Sequence, residues 1–583
     1  MEEAIKIIQE FSKEQLSDNE KDRVIGLLNN GDIIKIRYMI SPITYIKSTI
    51  LSRSDPIVGG TQGKQGKLPF HIQPRNILNK GEGLDLQDPT IVYRTQRLIE
   101  LTEILDKSKY ILIKSPPYTG KTSMGQLMEE HLKKTKPTSY VRRVSFIWEN
   151  SGFDDLWQYH TGTIFQNWLK IAANEPVYLI VDECQSIYPI NHQWNPLFWP
   201  LIKQLSGKIH LLMLSAYGEK PGSGSATPQE PHQSNVLSYE TIFFTPSETS
   251  EIISKFEQSS FLLSQEVKNW IVNNCMNHPG LISRTLDEIK TKYQGIGKTI
   301  GGVSLDLNNK IYQFLLSSSF HKSIIDSRAA PEIDKFDDSE KRILDHITKY
   351  QKLDVDYGED TTVHYTLVKR GFLIATNTTK GNDMTYQFSF PSPLYLRCYY
   401  IQRYHRGSVL EDFLVTPTEK GFEDLIVGSL RNFRPSNLAS EFSSKSSLNE
   451  AIRPYEALWQ QEFYYAASGA RGPKFVSPNV RGALEIQGFV DFYINDDFRW
   501  AIEMVSEGDR LQEHLDRFTV NGKYGNLLEI VSKWCVIDFR AKFENQTVKV
   551  DNLWIVQYSQ DFKTFTIHRH NCVPLTIQLH DNK

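Results

Sequence analysis

The sequence predicts a multidomain α/β protein in which a parallel-sheet domain comes first and an α+β domain comes last. Its 583 residues are enough for about three or four domains of ordinary size. Between about residues 90 and 246, short β-rich runs alternate with helical stretches, which is the pattern of a parallel sheet. Residues 449–583 instead read as a helix, a group of strands, a second helix and further strands, which is typical of an α+β domain.

Composition limits the class of protein. Hydrophobic residues make up 40% of the chain, so sizeable cores can form and global disorder is excluded. The 66 basic and 69 acidic residues give a net charge of −3, which provides no attraction of the whole chain to nucleic acid or anionic lipid. The five cysteines include no CxxC pair, which argues against a disulfide framework and a cysteine-based zinc site. No signal peptide is visible, and no apolar run approaches the ~20 residues that span a bilayer, so we expect a soluble protein without a membrane partner.

Shifts in composition and pattern divide the chain into six segments. A change to helices followed by a β-hairpin marks the start of the fourth segment, and a Ser-rich stretch forms the fifth. The predicted segments are an N-terminal helical region with an irregular connector (1–88), a parallel-sheet core (89–246), a helical lid (247–330), a winged-helix-like module (331–435), a Ser-rich linker (436–448) and the α+β domain (449–583).

The first motif with chemical meaning is a strand, a loop and a helix in the run YILIKSPPYTGKTSMGQLMEEHL. The loop ends in Gly120, Lys121 and Thr122, the last three positions of the phosphate-binding pattern GxxxxGK[ST], while Ser115 occupies the first glycine position. In such a loop Gly120 lets backbone N–H groups face the phosphates, and the helix N-terminus faces the same anion. Lys121 would reach the β- and γ-phosphates, and the Thr122 hydroxyl would hold Mg²⁺. The alternative is an ordinary turn with a surface lysine.

A second motif supports the first. The run VYLIVDE, residues 177–183, is an apolar strand that ends in two carboxylates, as expected of a fully buried parallel strand. Asp182 would then lie beside the phosphate loop and bind Mg²⁺, and Glu183 would orient or deprotonate the attacking water. The alternative is a buried strand ending in solvated acids. Together, the two motifs predict a site for a nucleoside triphosphate, ATP or GTP, with Mg²⁺.

Two further residues are candidates for contacts with the nucleotide. Ser215 ends the strand HLLMLSA, where a polar side chain can sense the γ-phosphate, and Arg284 follows the His-Pro-Gly turn that opens a lid helix. The alternative for Arg284 is a solvated arginine. With these motifs, residues 90–400 resemble the STAND/AAA-like P-loop NTPases. That resemblance implies an α/β core, a helical lid with a His-Pro-Gly turn, and a winged helix.

The C-terminal domain carries a second set of acidic residues. Glu462 lies on the apolar stripe of a predicted helix, and Asp491 and Glu503 interrupt two apolar strands that form a hairpin. Oxygen ligands of this kind suit Mg²⁺, which activates water for phosphodiester cleavage. The arrangement resembles the PD-(D/E)XK nuclease superfamily, with Val505 where the family has a lysine. The alternative is that Glu503 pairs with Arg510 or Arg517 and that the domain binds its partner without cleaving it.

The stretches EALWQQEFYYAA and WAIEMVSEGDRLQEHLDRF, together with the nucleotide motifs, resemble the Crinkler effector family. The resemblance covers residues 90–570. It implies a secreted effector that acts in the host cell nucleus, with DNA or a host nuclear protein as partner and a homo-oligomer, a dimer or larger, as the active form. Without secretion, the protein would be cytoplasmic or nuclear. Two alternatives stay open: a nucleotide-switched signalling or scaffold protein that binds without cleaving, and a self-assembling protein with a degenerate nucleotide site.

Overall fold

The structure is a computed structural model, and most of the chain beyond residue 82 is described in it. The predicted N-terminal helical region and its connector lie almost wholly outside the described residues. The described ranges are 83–145, 153–187, 209–216, 235–297, 303–327, 333–350, 352–356, 359–380, 383–407, 410–440, 456–472, 475–481, 489–495, 497–543 and 548–580.

A five-stranded parallel sheet forms the first domain, as the alternating pattern predicts. The strands lie in the order β2-β3-β4-β1-β5, and each neighbouring pair is parallel. Their bounds are β1 Tyr110–Ser115, β2 Tyr140–Ser145, β3 Val177–Asp182, β4 Ile209–Ala216 and β5 Val236–Leu237. The strand that precedes the phosphate loop and the strand that ends in Asp182 are therefore separated by β4.

Helices cover both faces of this sheet because its central strands are apolar on both faces. The helices are α1 Thr95–Ser108, α2 Lys121–Thr135, α3 Phe153–Thr161 and α4 Phe165–Asn174. On one face, α3 and α4 bury Trp157 and Trp168 against the sheet. On the other face, α1 and α2 bury Leu105 and Met128. Every residue of β3 is buried, which explains its unbroken apolar run.

A helical lid follows, and buried polar contacts attach it to the sheet domain. Its helices are α5 Pro246–Ser259, α6 Gln265–Cys275, α7 Pro279–Gly297, α8 Leu305–Leu315 and α9 Ser318–Ile325. A capping box of Thr245 and Glu248 begins α5. The buried Arg94, just before α1, donates to both oxygens of Glu248 and to the carbonyls of Ile242 and Phe243.

The next module has the order helix, strand, helix, β-hairpin, so helices precede a β-hairpin in the segment that the sequence assigns to a winged-helix-like module. Its elements are α10 Asp338–Tyr350, β6 Leu353–Asp356, α11 Thr362–Lys369, β7 Ile374–Lys380 and β8 Asp383–Ser389, followed by α12 Pro393–Tyr404. The three strands form an antiparallel sheet in the order β6-β8-β7.

The C-terminal domain is built on a seven-stranded mixed sheet in the order β11-β12-β13-β14-β15-β16-β17. Its strands are β11 Val476–Arg481, β12 Phe489–Ile494, β13 Trp500–Ser506, β14 Lys533–Arg540, β15 Leu553–Tyr558, β16 Thr564–Arg569 and β17 Leu575–Gln578. The accompanying elements are β9 Leu410–Leu414, α13 Glu419–Arg431, α14 Pro435–Ser440, α15 Glu456–Ser468, β10 Ala470–Arg471, α16 Leu511–Arg517 and α17 Gly525–Leu528.

The boundary between the last two modules differs from the prediction. Helix α13, placed by the sequence in the winged-helix-like module, packs with α15 in the core of the C-terminal domain. Ion pairs of Glu419 with Lys533 and of Glu423 with Arg569 attach α13 to the sheet. Helix α14 begins at Pro435 and extends into the predicted Ser-rich linker. In the part of the chain that the structure describes, no helix is long and apolar enough to cross a membrane.

The lid and the C-terminal sheet share one continuous hydrophobic core. At their junction the carbonyl oxygen of Leu316, at the end of α8, accepts hydrogen bonds from Ser477 Oγ and Asn495 Nδ2, each 2.6 Å long. Both donors are almost completely buried. Because a buried carbonyl with two donors is costly to expose, this junction resists separation.

Candidate functional site

The loop between β1 and α2 holds a buried lysine. Gly120 has φ = 90°, a left-handed conformation that suits glycine, and it is the residue from which α2 begins. Lys121 is only 7% exposed, and its Nζ donates to the carbonyl oxygens of Ser115 (3.2 Å) and Pro116 (2.8 Å). Burial lowers the pKa of Lys121, and the nearby Glu183 and Asp182 oppose that shift. The alternative of an ordinary surface lysine is therefore wrong.

Ser115, which departs from the glycine of the motif, has a structural role in the loop. Its Oγ lies 2.7 Å from Thr119 Oγ1, and Thr119 Oγ1 donates to the carbonyl oxygen of Pro116 at 2.8 Å. Since the single hydroxyl proton of Thr119 is used on Pro116, Ser115 donates to Thr119. Both side chains are fully buried. The two hydroxyls bridge the loop, and sequence reasoning missed Thr119 because its type carried no separate signal.

Asp182 lies at the same edge of the sheet, as the parallel register requires. It pairs with Ser145 across β2 and β3, and it is 1% exposed. Burial, together with Glu183, raises the pKa of Asp182, while Arg143, a hydrogen bond from Thr122, and Lys121 oppose the rise. The two predicted Mg²⁺ ligands, Thr122 and Asp182, therefore lie at the same edge of the sheet, near enough for Thr122 to influence the pKa of Asp182. Mg²⁺ in nucleotide sites takes one or two protein oxygens and completes its shell with phosphates and water, so these two residues fit it.

Arg143 is a component of the site that sequence reasoning missed. Its Nη1 lies 3.5 Å from Asp182 Oδ2, and its Nε lies 3.8 Å from Glu129 Oε2 on α2. The signal in the sequence was the pair of arginines in the middle of YVRRVS, because a charged residue in a largely buried strand requires a partner.

Glu183 and Ser215 are connected by a residue that was not predicted. Glu183 follows β3 with φ = 55°, an uncommon conformation for a residue with a side chain. Gln185 Nε2 donates to Glu183 Oε2, and Gln185 Oε1 accepts from the backbone N–H of Ala216 at 3.0 Å. Ser215, immediately before Ala216, is fully buried, and its hydroxyl donates to the carbonyl of Ala216 at 3.2 Å.

The N-terminus of α7 packs directly on the phosphate loop. A Cβ added to Gly280 would lie 2.1 Å from the carbonyl oxygen of Tyr118, so only glycine permits this approach. The buried His278 accepts from the N–H of Leu281 through Nδ1, and burial lowers its pKa to about 3, which keeps the ring neutral. Arg284 Nη2 lies 2.6 Å from Glu288 Oε1. Burial raises the pKa of Tyr118, and the positive charge of Arg284 opposes that rise.

In the C-terminal domain, Asp491 and Glu503 lie on adjacent strands, next to the ladder pair Phe492 and Ile502. Asp491 Oδ2 accepts from the N–H of Met504 at 2.6 Å. Burial raises the pKa of Asp491 well above its ordinary value, and the charges of Glu503 and Glu456 add to the rise. Two of the predicted carboxylates are therefore close together, with Glu456 near them.

Glu462 does not belong to this group, which corrects the prediction for the helix carboxylate. It is fully buried, and its oxygens accept from Arg434 Nη2 at 2.5 Å, from Arg434 Nε at 3.2 Å and from Asn437 Nδ2. Glu456 lies six residues earlier in α15 and acts on Asp491 instead. The stripe that places Glu462 in the core is the stripe that packs on the sheet, and its charge is satisfied by Arg434.

Glu503 is surrounded by hydrogen-bond donors. It accepts from His514 Nδ1 at 2.8 Å, from Arg517 Nη1 at 2.6 Å and from Tyr524 OH at 3.1 Å. This is the alternative pairing with Arg517, whereas Arg510 lies near Asp509. Val505, at the position of the superfamily's lysine, is buried in the core. Among the described residues, no group of three or more His, Cys, Asp or Glu is arranged to hold a metal ion. The oxygens of Glu503 are thus occupied by protein donors.

Comparisons with known proteins return distant structural matches alone. No protein-family model and no curated protein matches the sequence. A RuvB variant of Thermotoga maritima is 16% identical over 48% of this chain and 89% of its own, with a TM-score of 0.28. The Walker-type ATPase PABY2304 of Pyrococcus abyssi is 12% identical over 52% and 95%, with a TM-score of 0.32. Domain III of the replication initiation protein DnaA of Thermotoga maritima is 15% identical over 37% and 90%, with a TM-score of 0.28.

Proposed function

We propose that this protein binds a nucleoside triphosphate, ATP or GTP, together with Mg²⁺ at the edge of the five-stranded sheet, and hydrolyses it. The observation that carries the proposal is the meeting of two sequence motifs: Lys121 lies buried in the loop after β1, and both Lys121 and Thr122 lie near enough to Asp182, at the end of β3, to oppose the rise of its pKa. Ligands of open parallel sheets bind at the carboxyl ends of the strands, where both residues lie.

Each residue has a defined part in this reaction. Thr122 and Asp182 would hold Mg²⁺, which supplies neutralisation of phosphate charge. Lys121 exchanges its two carbonyl partners for phosphate oxygens, and the N-terminus of α2 faces the same charge. Water oxygen bonds to the γ-phosphorus and gives a proton to Glu183, while the bond from that phosphorus to the β–γ bridging oxygen breaks. The electron pair leaves with the nucleoside diphosphate. Ser215 and Arg284 are proposed to contact the γ-phosphate and the nucleotide from the lid side.

The test is binding and turnover of ATP and GTP, with and without Mg²⁺, by wild type, Lys121→Ala and Lys134→Ala. Lys134 is an exposed lysine of the same helix and serves as the matched control. We expect wild type and Lys134→Ala to bind and hydrolyse at least one of the two nucleotides, and Lys121→Ala to do neither. Equal binding by both lysine variants would overturn the proposal.

For the C-terminal domain we propose binding of DNA or a host protein without cleavage. The support is the state of Glu503, whose oxygens already accept from three side chains, and the apolar Val505 at the position of the missing lysine. Mg²⁺-dependent nicking of plasmid DNA by wild type, lost in both Asp491→Ala and Glu503→Ala, would overturn this and restore the nuclease hypothesis. Retained DNA affinity without nicking supports it.

The Crinkler resemblance extends this proposal to a nucleotide-switched effector that leaves its cell and acts in a host nucleus as a homo-oligomer. Its support is the pair of sequence stretches in α15 and β13–α16 quoted above. A fluorescent fusion expressed in host cells should accumulate in nuclei, and light scattering should give a dimer or larger species whose size depends on nucleotide. A fusion excluded from nuclei would count against the effector role.

A further inference from the structure

The side chain of Gln185 connects the proposed general base to the end of a different strand. Its amide nitrogen donates to Glu183 Oε2, and its amide oxygen accepts from the N–H of Ala216 at 3.0 Å. Glu183 follows β3, whereas Ala216 is the last residue of β4 and comes directly after Ser215. One amide therefore joins the Glu183 carboxylate to the strand end at which the γ-phosphate is proposed to be sensed.

We propose that Gln185 is a positioning residue that holds the Glu183 carboxylate toward the γ-phosphate and connects it to the sensor end of β4. This rests on the proposed nucleotide hydrolysis. A glutamate side chain has three rotatable bonds, so ordering it costs entropy unless a neighbour fixes it. Gln185 is fixed by its second hydrogen bond, which makes it an oriented donor for Glu183.

Glu183 lies directly after Asp182, at the carboxyl edge of the sheet, and the phosphate loop leaves β1 at the same edge. The backbone adds to the constraint, because Glu183 begins the turn with φ = 55° and its carbonyl accepts from the N–H of Ser186 at 3.1 Å.

A purely structural role for Gln185 is the alternative, and the chemistry of one substitution separates the two. If Gln185 merely satisfied the N–H of Ala216, then Gln185→Glu would keep that function, because a carboxylate also accepts. Gln185→Glu cannot donate to Glu183, however, and it places a second negative charge beside it. Positioning therefore predicts loss of turnover in Gln185→Glu, whereas a structural role predicts none.

The experiment measures kcat and nucleotide Kd for wild type, Gln185→Ala, Gln185→Glu, Glu183→Gln and the double variant Glu183→Gln/Gln185→Ala, with thermal unfolding to verify folding. Both Gln185 variants should lose about 10- to 100-fold in kcat, as misplaced catalytic groups do, while Kd changes by less than about 2-fold. Glu183→Gln should lose about 100-fold or more, and the double variant should lose no more than that, because Gln185 acts through Glu183.

The control is Gln96→Ala, since Gln96 donates to Glu100 in an exposed pair on α1 and its loss should leave kcat unchanged. Wild-type kcat in Gln185→Glu, or multiplying losses in the double variant, would overturn the positioning role and leave the proposed function intact. Wild type that binds no nucleotide would overturn both. Wild type that binds nucleotide without turning it over would overturn the role of Gln185 while nucleotide binding stands.

Discussion

Two buried acidic sites, one at the end of the parallel sheet and one in the C-terminal sheet, have similar sequence patterns and different surroundings. Each comes from carboxylates that interrupt or end apolar strands. At the first, Asp182 and Glu183 lie beside Lys121, whose ammonium donates hydrogen bonds to backbone carbonyls and, in the proposed function, would exchange them for phosphate oxygens. At the second, three side chains donate to Glu503. The comparison teaches that the donors around a carboxylate, not the carboxylate pattern, distinguish a proposed ligand site from a structural ion pair.

The largest expected effect tests the structural side of this comparison. Glu503 is 1% exposed, so removing its Arg517 partner leaves a buried charge with less compensation. Arg517→Ala should lower the free energy of unfolding by about 3–5 kcal/mol. Arg510→Ala, at an exposed guanidinium near Asp509, is the control and should change it by less than about 0.5 kcal/mol. Urea denaturation measures both, and equal stability of the two variants would contradict the comparison.

The next prediction concerns ligands. Mg²⁺–nucleotide at about 100 times its Kd should stabilise the wild type by about 2.7 kcal/mol, because the ligand binds only the folded state. Asp182→Ala should lose most of this gain, whereas Glu462→Gln, at the ion pair with Arg434, should keep it. Mg²⁺ alone should stabilise neither the wild type nor Asp182→Ala, because the oxygens of Glu503 in the C-terminal domain already accept from three side chains. Thermal unfolding with each ligand is the measurement, and stabilisation by Mg²⁺ alone that disappears in Asp491→Ala would reverse our reading of the second site.

The contact between the lid helix α7 and the phosphate loop should have a smaller effect on stability and nucleotide binding. Gly280→Ala places a Cβ 2.1 Å from the Tyr118 carbonyl, so α7 and the loop must separate. We expect about 1–3 kcal/mol of destabilisation and weaker nucleotide binding. Gly295→Ala is matched, since it lies on the same helix with open space around it, and it should be neutral or stabilise by about 0.5–1 kcal/mol. Chemical denaturation measures the stability of the two variants, and nucleotide titration measures their affinity. Identical nucleotide affinities of Gly280→Ala and Gly295→Ala would show that the contact of α7 with the loop is not coupled to the nucleotide site.

The smallest effect is a pH dependence at Asp491. The pKa of Asp491 in the folded state lies above the unfolded value of about 3.9, so the folded state binds the proton more tightly. Stability therefore falls as pH rises from the unfolded pKa to the folded pKa. Asp491→Asn removes the charge and keeps an oxygen for the N–H of Met504. It should therefore stabilise the protein by about 1 kcal/mol at pH 7 and progressively less toward pH 4. A gain that grows on acidification would contradict this sign.

Much of the first domain could be predicted because its signals are local. The alternation of apolar runs and helices predicts the parallel sheet, and the register of parallel strands then brings Thr122 and Asp182 to one edge. The bond between Thr119 and Ser115 and the approach of Arg143 depend on side-chain directions in a folded loop, so residue spacing did not reveal them.

The second site shows where local pattern stops being informative. Helical periodicity correctly placed Glu462 on a buried face, but only packing decided that its partner is Arg434, 28 positions earlier, rather than Asp491. The predicted boundary near residue 435 failed for a similar reason, because α13 is stabilised by long-range ion pairs with β14 and β16 that no local signal contains.

The sequence by itself determined the parallel sheet, the phosphate loop and the acidic end of β3, because strand period, glycine chemistry and apolar burial are local properties. Tertiary structure alone decided which donors reach each carboxylate: Arg517, His514 and Tyr524 at Glu503, and Gln185 at Glu183. The reason is physical. A buried charge is stabilised by whichever donors the packing brings within about 3 Å, and that choice depends on residues distant in the chain.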